Sequence, residues 1–267
     1  KVIVVRPAEL FFALSSDKKS PVIPLLECLS DPPDFCLLIL LASEANRSRR
    51  FYKLCEEKGL WFHIDAAYGG GALASPKVRN LFSGIEKADS ITIDPHKWLF
   101  TTYDCGAVIY KKPELAKEAL SQHGSYLDIF QDEGAIGFNP SDYQVQLTRK
   151  LRGLSLWFSL AMHGTEVYRK AVEIGLDLAQ KAKELIDENP NLEMVREPGL
   201  SCVLFRRKGW KPEDYYQWTY KNHKENIALV TPTKWQQGNE LETVARFCFI
   251  NPDTTEEDLK VIFDTMN

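Results

Sequence analysis

The chain has 267 residues, of which 44% are apolar, and a formal net charge of -4 at pH 7 with acidic and basic residues interspersed. This composition supports one large or two smaller globular domains and excludes the strongly basic surface that nucleic acids and anionic membranes require. The longest apolar run, FCLLILLA at residues 35–42, is too short to span a bilayer, so we expect a small-molecule partner and no membrane association.

Cysteine usage indicates the compartment. The six cysteines show neither C-x-x-C spacing nor the density of a disulfide scaffold, which predicts reduced thiols and a cytoplasmic location. The chain opens with KVIVV and no initiator methionine, so a fragment or processed product is also expected. The cysteines are Cys28, Cys36, Cys55, Cys105, Cys202 and Cys248.

The first part of the chain alternates strands and helices. CLLILLA and LWFHID are strand-length apolar runs, and ANRSRRFYKLCEEKG between them has a helical pattern that ends at Gly59. ADSITID and CGAVIYK predict two more strands, the second apolar enough for a sheet covered on both faces. The pattern is typical of an α/β domain with a mostly parallel sheet and helices on both faces.

The second part predicts a smaller α+β domain. A helix over residues 165–188 should bridge the two units, so we divide the chain into residues 1–160 and 161–267. Strands are expected in LEMVR, SCVLFRR, IALV and VARFCFI, and a helix in PEDYYQWTYKNH. A capping box from Thr254 to Glu257 predicts the start of a last helix. The apolar positions expected on the bridging helix are Val167, Ala171, Ile174, Leu178 and Leu185.

Two charged residues follow predicted strands. Asp65 ends LWFHID, and Lys97 follows SITID within DPHKW. Because ligand groups of open α/β sheets gather at the carboxyl ends of strands, both side chains could reach one crevice. A lysine there should lose solvation, which disfavours the charged ammonium and so favours its nucleophilic neutral amine form. For an isolated Asp or Lys, an ordinary ion pair between the two residues, or a turn cap at Asp65, is the better interpretation.

The motifs resemble a known family. HIDAAYGG, with Lys97 of DPHKW 32 positions after Asp65, is similar to group II pyridoxal-phosphate-dependent amino-acid decarboxylases, which include aromatic L-amino acid and glutamate decarboxylases. The resemblance continues through YDCGAVIYKK, GSYLD, QLTRKLRGLSLWF and RFCFINPDTTEEDL. It implies part of a fold-type I large domain, a small carboxyl-terminal domain, a homodimer, and decarboxylation of an L-amino acid to an amine and carbon dioxide with pyridoxal 5'-phosphate.

The resemblance also assigns roles to single residues. It implies that Lys97 holds the cofactor as a Schiff base and that Asp65 pairs with its pyridine nitrogen, which lets the ring accept electrons from the breaking bond at Cα. The loop over about residues 121–140 would be mobile and would carry Tyr126 as the proton donor to the carbanion. The other implied contacts are Ala67 at the ring, His96 and Asp94 near the phosphate, and Arg246 at the substrate. The alternatives are a histidine that only satisfies a strand end for His96 and simple packing for Arg246.

Departures from the family pattern leave alternatives open. LLASEANRS replaces a GTT-like turn, and the first 40 residues match the family poorly. We therefore expect this chain to lack the amino-terminal half that carries the phosphate-binding helix in the family. One alternative is therefore a truncated, inactive remnant, and another is a different fold-type I lyase, against which GSYLD argues. Trp98, His63, Arg149 and Arg152 are interpreted as structural. The substrate stays open among aromatic, acidic and diamino acids.

Overall fold

The structure is a computed structural model that describes residues 2–3, 37–41, 48–121, 139–237 and 240–267. Its first sheet has five strands in the spatial order β1-β2-β3-β4-β5. The first four strands are parallel to one another, and β5 is antiparallel to β4, which confirms the mostly parallel sheet. The strands are β1 (Val2–Ile3), β2 (Leu37–Leu41), β3 (Trp61–Asp65), β4 (Ser90–Ile93) and β5 (Ala107–Tyr110).

The βαβ unit forms as predicted. Helix α1 (Ser48–Lys58) connects β2 to β3 and ends at Gly59, whose φ of 63° is a left-handed conformation that glycine adopts without a Cβ penalty. Along β3, Phe62 and Ile64 are buried in the core while His63 and Asp65 are only half-buried. This alternation turns the Asp65 carboxylate away from the apolar core.

Strand β5 is more exposed than the sequence predicts. It lies at the edge of the sheet in the described part of the chain, and its apolar Val108 and Ile109 are about half exposed. The prediction that both faces of this strand are covered is wrong for the residues described, because an apolar run identifies a strand but not its place in the sheet. Helix α2 (Pro113–Leu120) follows β5.

A long helix, α3 (Gly153–Glu188), connects the two halves of the fold. Gly164 interrupts it with φ 73° and ψ 165°, so the predicted start at Thr165 matches its second segment. Of the expected apolar positions Leu178 is buried, whereas Val167 and Ile174 are exposed, so the buried side is partly rotated from the expected one. Small residues share this side with larger ones, and Gly175 lets the helix approach the backbone of Phe249 closely. The buried residues are Tyr168, Val172, Gly175, Leu176, Leu178, Ala179, Ala182 and Ile186.

The second sheet is antiparallel with the strand order β6-β7-β9-β8. Its strands are β6 (Leu192–Met194), β7 (Cys202–Arg207), β8 (Pro232–Gln237) and β9 (Glu240–Cys248), and it carries helices α4 (Pro212–Lys224) and α5 (Glu256–Asp264). A core that includes Phe205, Phe247 and Phe263 joins this sheet to α3. The α+β character is as expected, while the domain boundary near residue 160 stays a prediction.

Two local predictions in this half are wrong. IALV is not a strand: the Thr219 hydroxyl donates to the Val230 carbonyl at 2.7 Å, so this run packs against α4 and the strand begins at Pro232. The capping box spans Thr255 and Asp258, one residue later than expected. Thr254 is held in the preceding turn because its N–H donates to the Asn251 carbonyl at 3.3 Å.

Gly175 provides a stability prediction. A Cβ at Gly175 would lie 2.7 Å from the carbonyl oxygen of Phe249, which is backbone and yields little. Although alanine favours a helix over glycine by about 1 kcal/mol, the overlap should dominate, and we expect Gly175→Ala to destabilise the fold by about 1–3 kcal/mol. Gly153→Ala in the same helix is the control, since a Cβ there meets nothing within 4 Å. Equal denaturant midpoints for the two variants would contradict this packing.

Candidate functional site

The site begins where β3 ends at Asp65. The Oδ1 atom of Asp65 accepts a hydrogen bond from the N–H of Ala67 at 3.0 Å, which forms an Asx turn. The turn-cap interpretation is therefore correct for one oxygen. Oδ2 has no hydrogen-bond partner within the described ranges, so it is the oxygen that is available to a ligand.

Ala67 ties the Asp65 turn to the lysine-bearing segment. Its carbonyl accepts from the N–H of Asp94 at 3.1 Å, immediately after β4, while its own N–H serves Asp65. Asp65 also pairs with Thr92 across the parallel ladder. One small residue thus links the carboxyl ends of adjacent strands. The segments that carry Asp65 and Lys97 therefore follow the carboxyl ends of β3 and β4 on the same side of the sheet.

Lys97 lies in a tight turn after β4. Its N–H donates to the Asp94 carbonyl at 2.9 Å, and its Nζ forms an ion pair with Asp94 Oδ2 at 2.8 Å. The lysine side chain is 40% exposed and the aspartate 18%. The expected desolvation of the amine is therefore wrong for the described residues, because the lysine keeps both solvent and a carboxylate partner.

His96 is fixed by the backbone of Cys105. Its Nδ1 lies 2.6 Å from the Cys105 carbonyl oxygen and 3.1 Å from the Cys105 nitrogen, and the shorter contact requires a proton on Nδ1. Nε2 lies 4.0 Å from Asp94 Oδ2. The ring packs edge-on against Tyr103. His96 is thus rigidly placed beside Asp94, and its predicted phosphate contact stays a prediction.

A glycine-rich turn, Gly69–Ala74, lets the lysine segment pack closely. A Cβ at Gly71 would stand 2.9 Å from the Cβ of Trp98, the residue after Lys97. Trp98 is buried, as the structural interpretation predicts, and its ring stacks on Tyr68 with centroids 5.0 Å apart. The glycine at this position therefore fixes how near the lysine turn comes to the Asp65 turn.

The donor set matches the chemistry that a pyridoxal cofactor needs. An amine suits its carbonyl carbon, a carboxylate oxygen without a partner suits a protonated ring nitrogen, and the methyl group of Ala67 leaves space between them. Nothing in the arrangement of Asp65, Ala67 and Lys97 conflicts with such a group. Among the described residues, no group of three or more His, Cys, Asp or Glu side chains could hold a metal ion.

His63 lies on β3 near Asp65 and contacts the neighbouring strand β4. Its ring contacts the hydroxyls of Ser90 and Thr92 at 2.7 and 3.1 Å, in keeping with a structural role. Burial lowers the pKa of His63, opposed by the neighbouring Asp65 carboxylate. The ring is therefore held in its neutral form.

A pH dependence of stability follows from His63. Since the folded-state pKa is lowered, the unfolded chain binds this proton more readily, and stability is lost as pH falls below about 6.5. We expect His63→Gln to lose less stability than the parent between about pH 7.5 and about pH 5.5 in chemical denaturation. A loss of equal size in both proteins would show that His63 does not titrate with folding.

Arg246 belongs to the second sheet. It lies on β9 opposite Leu204, is exposed, and helps to line a cavity of about 220 Å³ with Phe247, Cys248 and Phe249. The pKa of Cys248 is lowered mainly by a hydrogen bond from Cys202, against the opposing effect of burial, and to a smaller extent by Tyr68 and by the Arg246 guanidinium. Its predicted role in substrate binding stays a prediction.

Tyr126 and most of the predicted loop over residues 121–140 lie outside the described residues, as does most of LLASEANRS. Arg152 forms an ion pair with Asp104 at 3.0 Å, as expected for a structural residue. Sequence reasoning missed the double role of Ala67 and the contacts of Tyr68, whose hydroxyl hydrogen-bonds to Ser201. The only signal for them was the small-residue run after Asp65, which does not specify partners.

Comparison with protein families gives a match of residues 46–208 to the pyridoxal-dependent decarboxylase conserved domain. The chain is 34% identical to the rat aromatic-L-amino-acid decarboxylase over 77% of its own length and 42% of that protein. It is 29% identical to the Arabidopsis thaliana phenylacetaldehyde synthase over 79% of its length and 42% of that protein. The chain thus spans less than half of these curated relatives.

Solved structures share the fold. The Oryza sativa TDC structure with PLP and tryptamine matches with a TM-score of 0.75 and 22% identity, over 86% of this chain and 50% of that one. The mouse CSAD structure matches with a TM-score of 0.72 and 24% identity, over 91% of this chain and 53% of that one. No helix within the described ranges has the length and apolar character of a membrane span.

Proposed function

Since the chain belongs to the pyridoxal-dependent decarboxylase family, we propose that the whole protein converts an aromatic L-amino acid to its amine and carbon dioxide with pyridoxal 5'-phosphate. The observation that supports this is the link through Ala67, which joins the Asp65 turn to the Lys97 turn at one edge of the sheet. Relatives named as aromatic-L-amino-acid decarboxylases and tryptophan decarboxylases favour an aromatic substrate.

Lys97 would hold the cofactor covalently through Nζ. An ammonium must first lose a proton to act as a nucleophile, and Asp94 Oδ2, 2.8 Å away, is within reach of that proton. The ion pair with Asp94 also restricts the flexible Lys97 side chain to the region just after β4. The half-exposed setting leaves the amine accessible to an entering ligand.

Asp65 would hold the proton on the pyridine nitrogen through Oδ2, while Oδ1 keeps its bond to Ala67. When bound, the cofactor supplies an electron-accepting ring that takes up the electron pair left by the departing carboxylate. His96, fixed by Cys105, and Asp94 would lie near the phosphate, and Arg246 would contact the substrate. The support for these three roles is the family motif in which each residue stands.

Whether the product is the amine depends on which group protonates the substrate Cα after carbon dioxide has left. We assign this step to the phenol of Tyr126, which would protonate the substrate Cα within a loop that excludes water. The curated relatives include both decarboxylases and phenylacetaldehyde synthases, so amine and aldehyde are the two outcomes to separate. A tyrosine at this position of GSYLD favours the amine.

Tyr126→Phe tests this assignment in the whole protein. Because the ring is kept and only the acidic proton is lost, we expect unchanged substrate affinity and a fall in amine formation of about 10²- to 10⁴-fold. The unprotonated carbon would then react with oxygen, and aldehyde should appear among the products. Tyr143→Phe is the control for a general loss of a tyrosine hydroxyl. Amine release at the parental rate without aldehyde would rule out Tyr126 as the donor.

The substrate is tested with a panel. We expect carbon dioxide release from aromatic L-amino acids to exceed release from L-glutamate and L-2,4-diaminobutyrate, with Lys97→Ala as the blank. Release from an acidic or diamino acid alone would overturn the substrate class. Binding of the cofactor without carbon dioxide release from any amino acid would instead support another fold-type I lyase, and failure to bind it would support an inactive remnant.

Assembly and location complete the proposal. The resemblance supports a homodimer, which size-exclusion chromatography with light scattering would test. No disulfide joins any of the four cysteines that the structure describes, which supports a cytoplasmic setting. These cysteines are Cys55, Cys105, Cys202 and Cys248.

A further inference from the structure

Cys202 and Cys248 face each other across the second sheet. They are direct partners in the antiparallel ladder of β7 and β9. The N–H of Phe249 donates to the carbonyl of Ser201 at 3.0 Å, while the N–H and carbonyl of Cys202 both bond to Gly199. This is the pattern of a non-hydrogen-bonded pair, in which Cα atoms are about 4.5 Å apart and side chains lie closest.

The two sulfur atoms are already in contact. Their Sγ atoms are 3.5 Å apart, without a bond between them. A disulfide requires an S–S length of about 2.05 Å and a Cα separation of about 4.4–6.8 Å. The strand pairing supplies the Cα separation, so rotation of the two side chains can close the remaining gap without a change in strand register.

The surroundings favour reaction at Cys248. Cys248 is exposed and Cys202 is half-buried, whereas Cys55 and Cys105 are buried. The hydrogen bond from Cys202 lowers the pKa of Cys248; partial burial opposes this effect, and the hydrogen bond from Tyr68 and the charge of Arg246 reinforce it. Burial raises the pKa of Cys105. Because the thiolate is the attacking species, Cys248 is the reactive thiol of the four that are described.

We propose that Cys202 and Cys248 form a thiol–disulfide exchange site that reacts with low-molecular-weight disulfides. The Cys248 thiolate attacks one sulfur of the small disulfide, forms a mixed disulfide and releases one thiolate. Cys202 then loses its proton, attacks the Cys248 sulfur and releases the second thiolate, so the two cysteines are oxidised and the small disulfide is reduced to two thiols. The protein is left with a Cys202–Cys248 disulfide.

The pair adjoins the candidate site through Tyr68. The Tyr68 hydroxyl bonds to Ser201, next to Cys202, and its ring stacks on Trp98, next to Lys97. Oxidation removes the Cys248 thiolate that faces this hydroxyl. The redox state of the pair is thereby connected to the turn that carries Lys97, although the exchange chemistry itself requires no cofactor.

The test is peptide mapping of the full chain after incubation with glutathione disulfide. We expect a cross-linked peptide pair that contains Cys202 and Cys248 and lacks two hydrogen atoms, reversed by excess glutathione. Cys202→Ser should stop at a stable glutathione adduct on Cys248. Cys248→Ser should react at Cys202 at least about tenfold more slowly, because the reactive thiolate is gone.

Matched variants separate the outcomes. Cys55→Ser and Cys105→Ser should leave formation of the cross-link unchanged, since these thiols are buried. A stable glutathione adduct on the parent Cys248 without a cross-link would overturn the proposal, and so would the absence of both products. Because the readout is the mass of the thiol peptides, it is independent of cofactor binding at Lys97 and of decarboxylation.

Discussion

Lys97→Ala is expected to abolish the absorbance band of covalently bound pyridoxal 5'-phosphate and, with it, carbon dioxide release. The methyl group of alanine cannot attack the cofactor carbonyl, so no covalent attachment at this position is possible. The fold should persist. The side chain is 40% exposed and forms an ion pair with Asp94, and such a surface pair contributes only about 0–1 kcal/mol.

Lys77→Ala is the matched control for this experiment. Lys77 is also ion-paired, to Asp177 at 2.7 Å, and its side chain is 48% exposed, but it does not follow a strand of the first sheet. We expect this variant to keep the parental absorbance band. A band of parental intensity in Lys97→Ala would show that another amine holds the cofactor.

Asp65→Asn is expected to keep the fold and the covalent cofactor but to slow decarboxylation. An asparagine Oδ1 can still accept the N–H of Ala67, so the turn after β3 is maintained. The neutral amide cannot hold a proton on the pyridine nitrogen, and the developing negative charge loses its electrostatic stabilisation. The loss should be about 10²- to 10³-fold in kcat, the size typical for removal of one preorganised stabilising group.

The control for charge removal is Asp89→Asn. Asp89 accepts the N–H of Phe62 at 2.9 Å and lies at the opposite end of the same pair of strands. Its loss can change stability, which is measured separately by denaturation, but not kcat of the folded protein. If Asp65→Asn retained the parental kcat, Asp65 would be a turn cap and nothing more.

Much of the fold could be predicted from local patterns. The apolar runs of β3 and β4, the helix stop at Gly59 and the helical segment from Thr165 are all encoded within a few residues, whereas the segment of α3 before Gly164 was not predicted. The placement of Asp65 and Lys97 at strand ends follows from these elements and from the rule for parallel sheets.

What could not be predicted depends on contacts between distant segments. IALV has strand composition, but Val230 accepts a hydrogen bond from Thr219 on α4, which no local pattern reveals. The buried side of α3 includes Gly175, which approaches the backbone of Phe249 closely, while Val167 and Ile174 are exposed, and no local pattern specifies this contact. The opposition of Cys202 and Cys248 required the register of β7 and β9.

The candidate site shows the same division. Residue types identified Asp65 and Lys97, whereas the bridging role of Ala67 and the exposure of the lysine required the folded chain. Solvation at a strand end depends on what covers it, and the side chain alone does not determine this. Sequence therefore gives the chemistry of the site better than its environment.

The most direct test of the account is to identify the lysine that holds the cofactor. The whole protein is incubated with pyridoxal 5'-phosphate, reduced with borohydride and digested, and the modified peptide is sequenced by mass spectrometry. We expect one dominant modification on Lys97, both in the parent protein and in Asp65→Asn. Label distributed over exposed lysines such as Lys77 and Lys260, with no preference for Lys97, would contradict the assignment of the cofactor site to the carboxyl ends of β3 and β4.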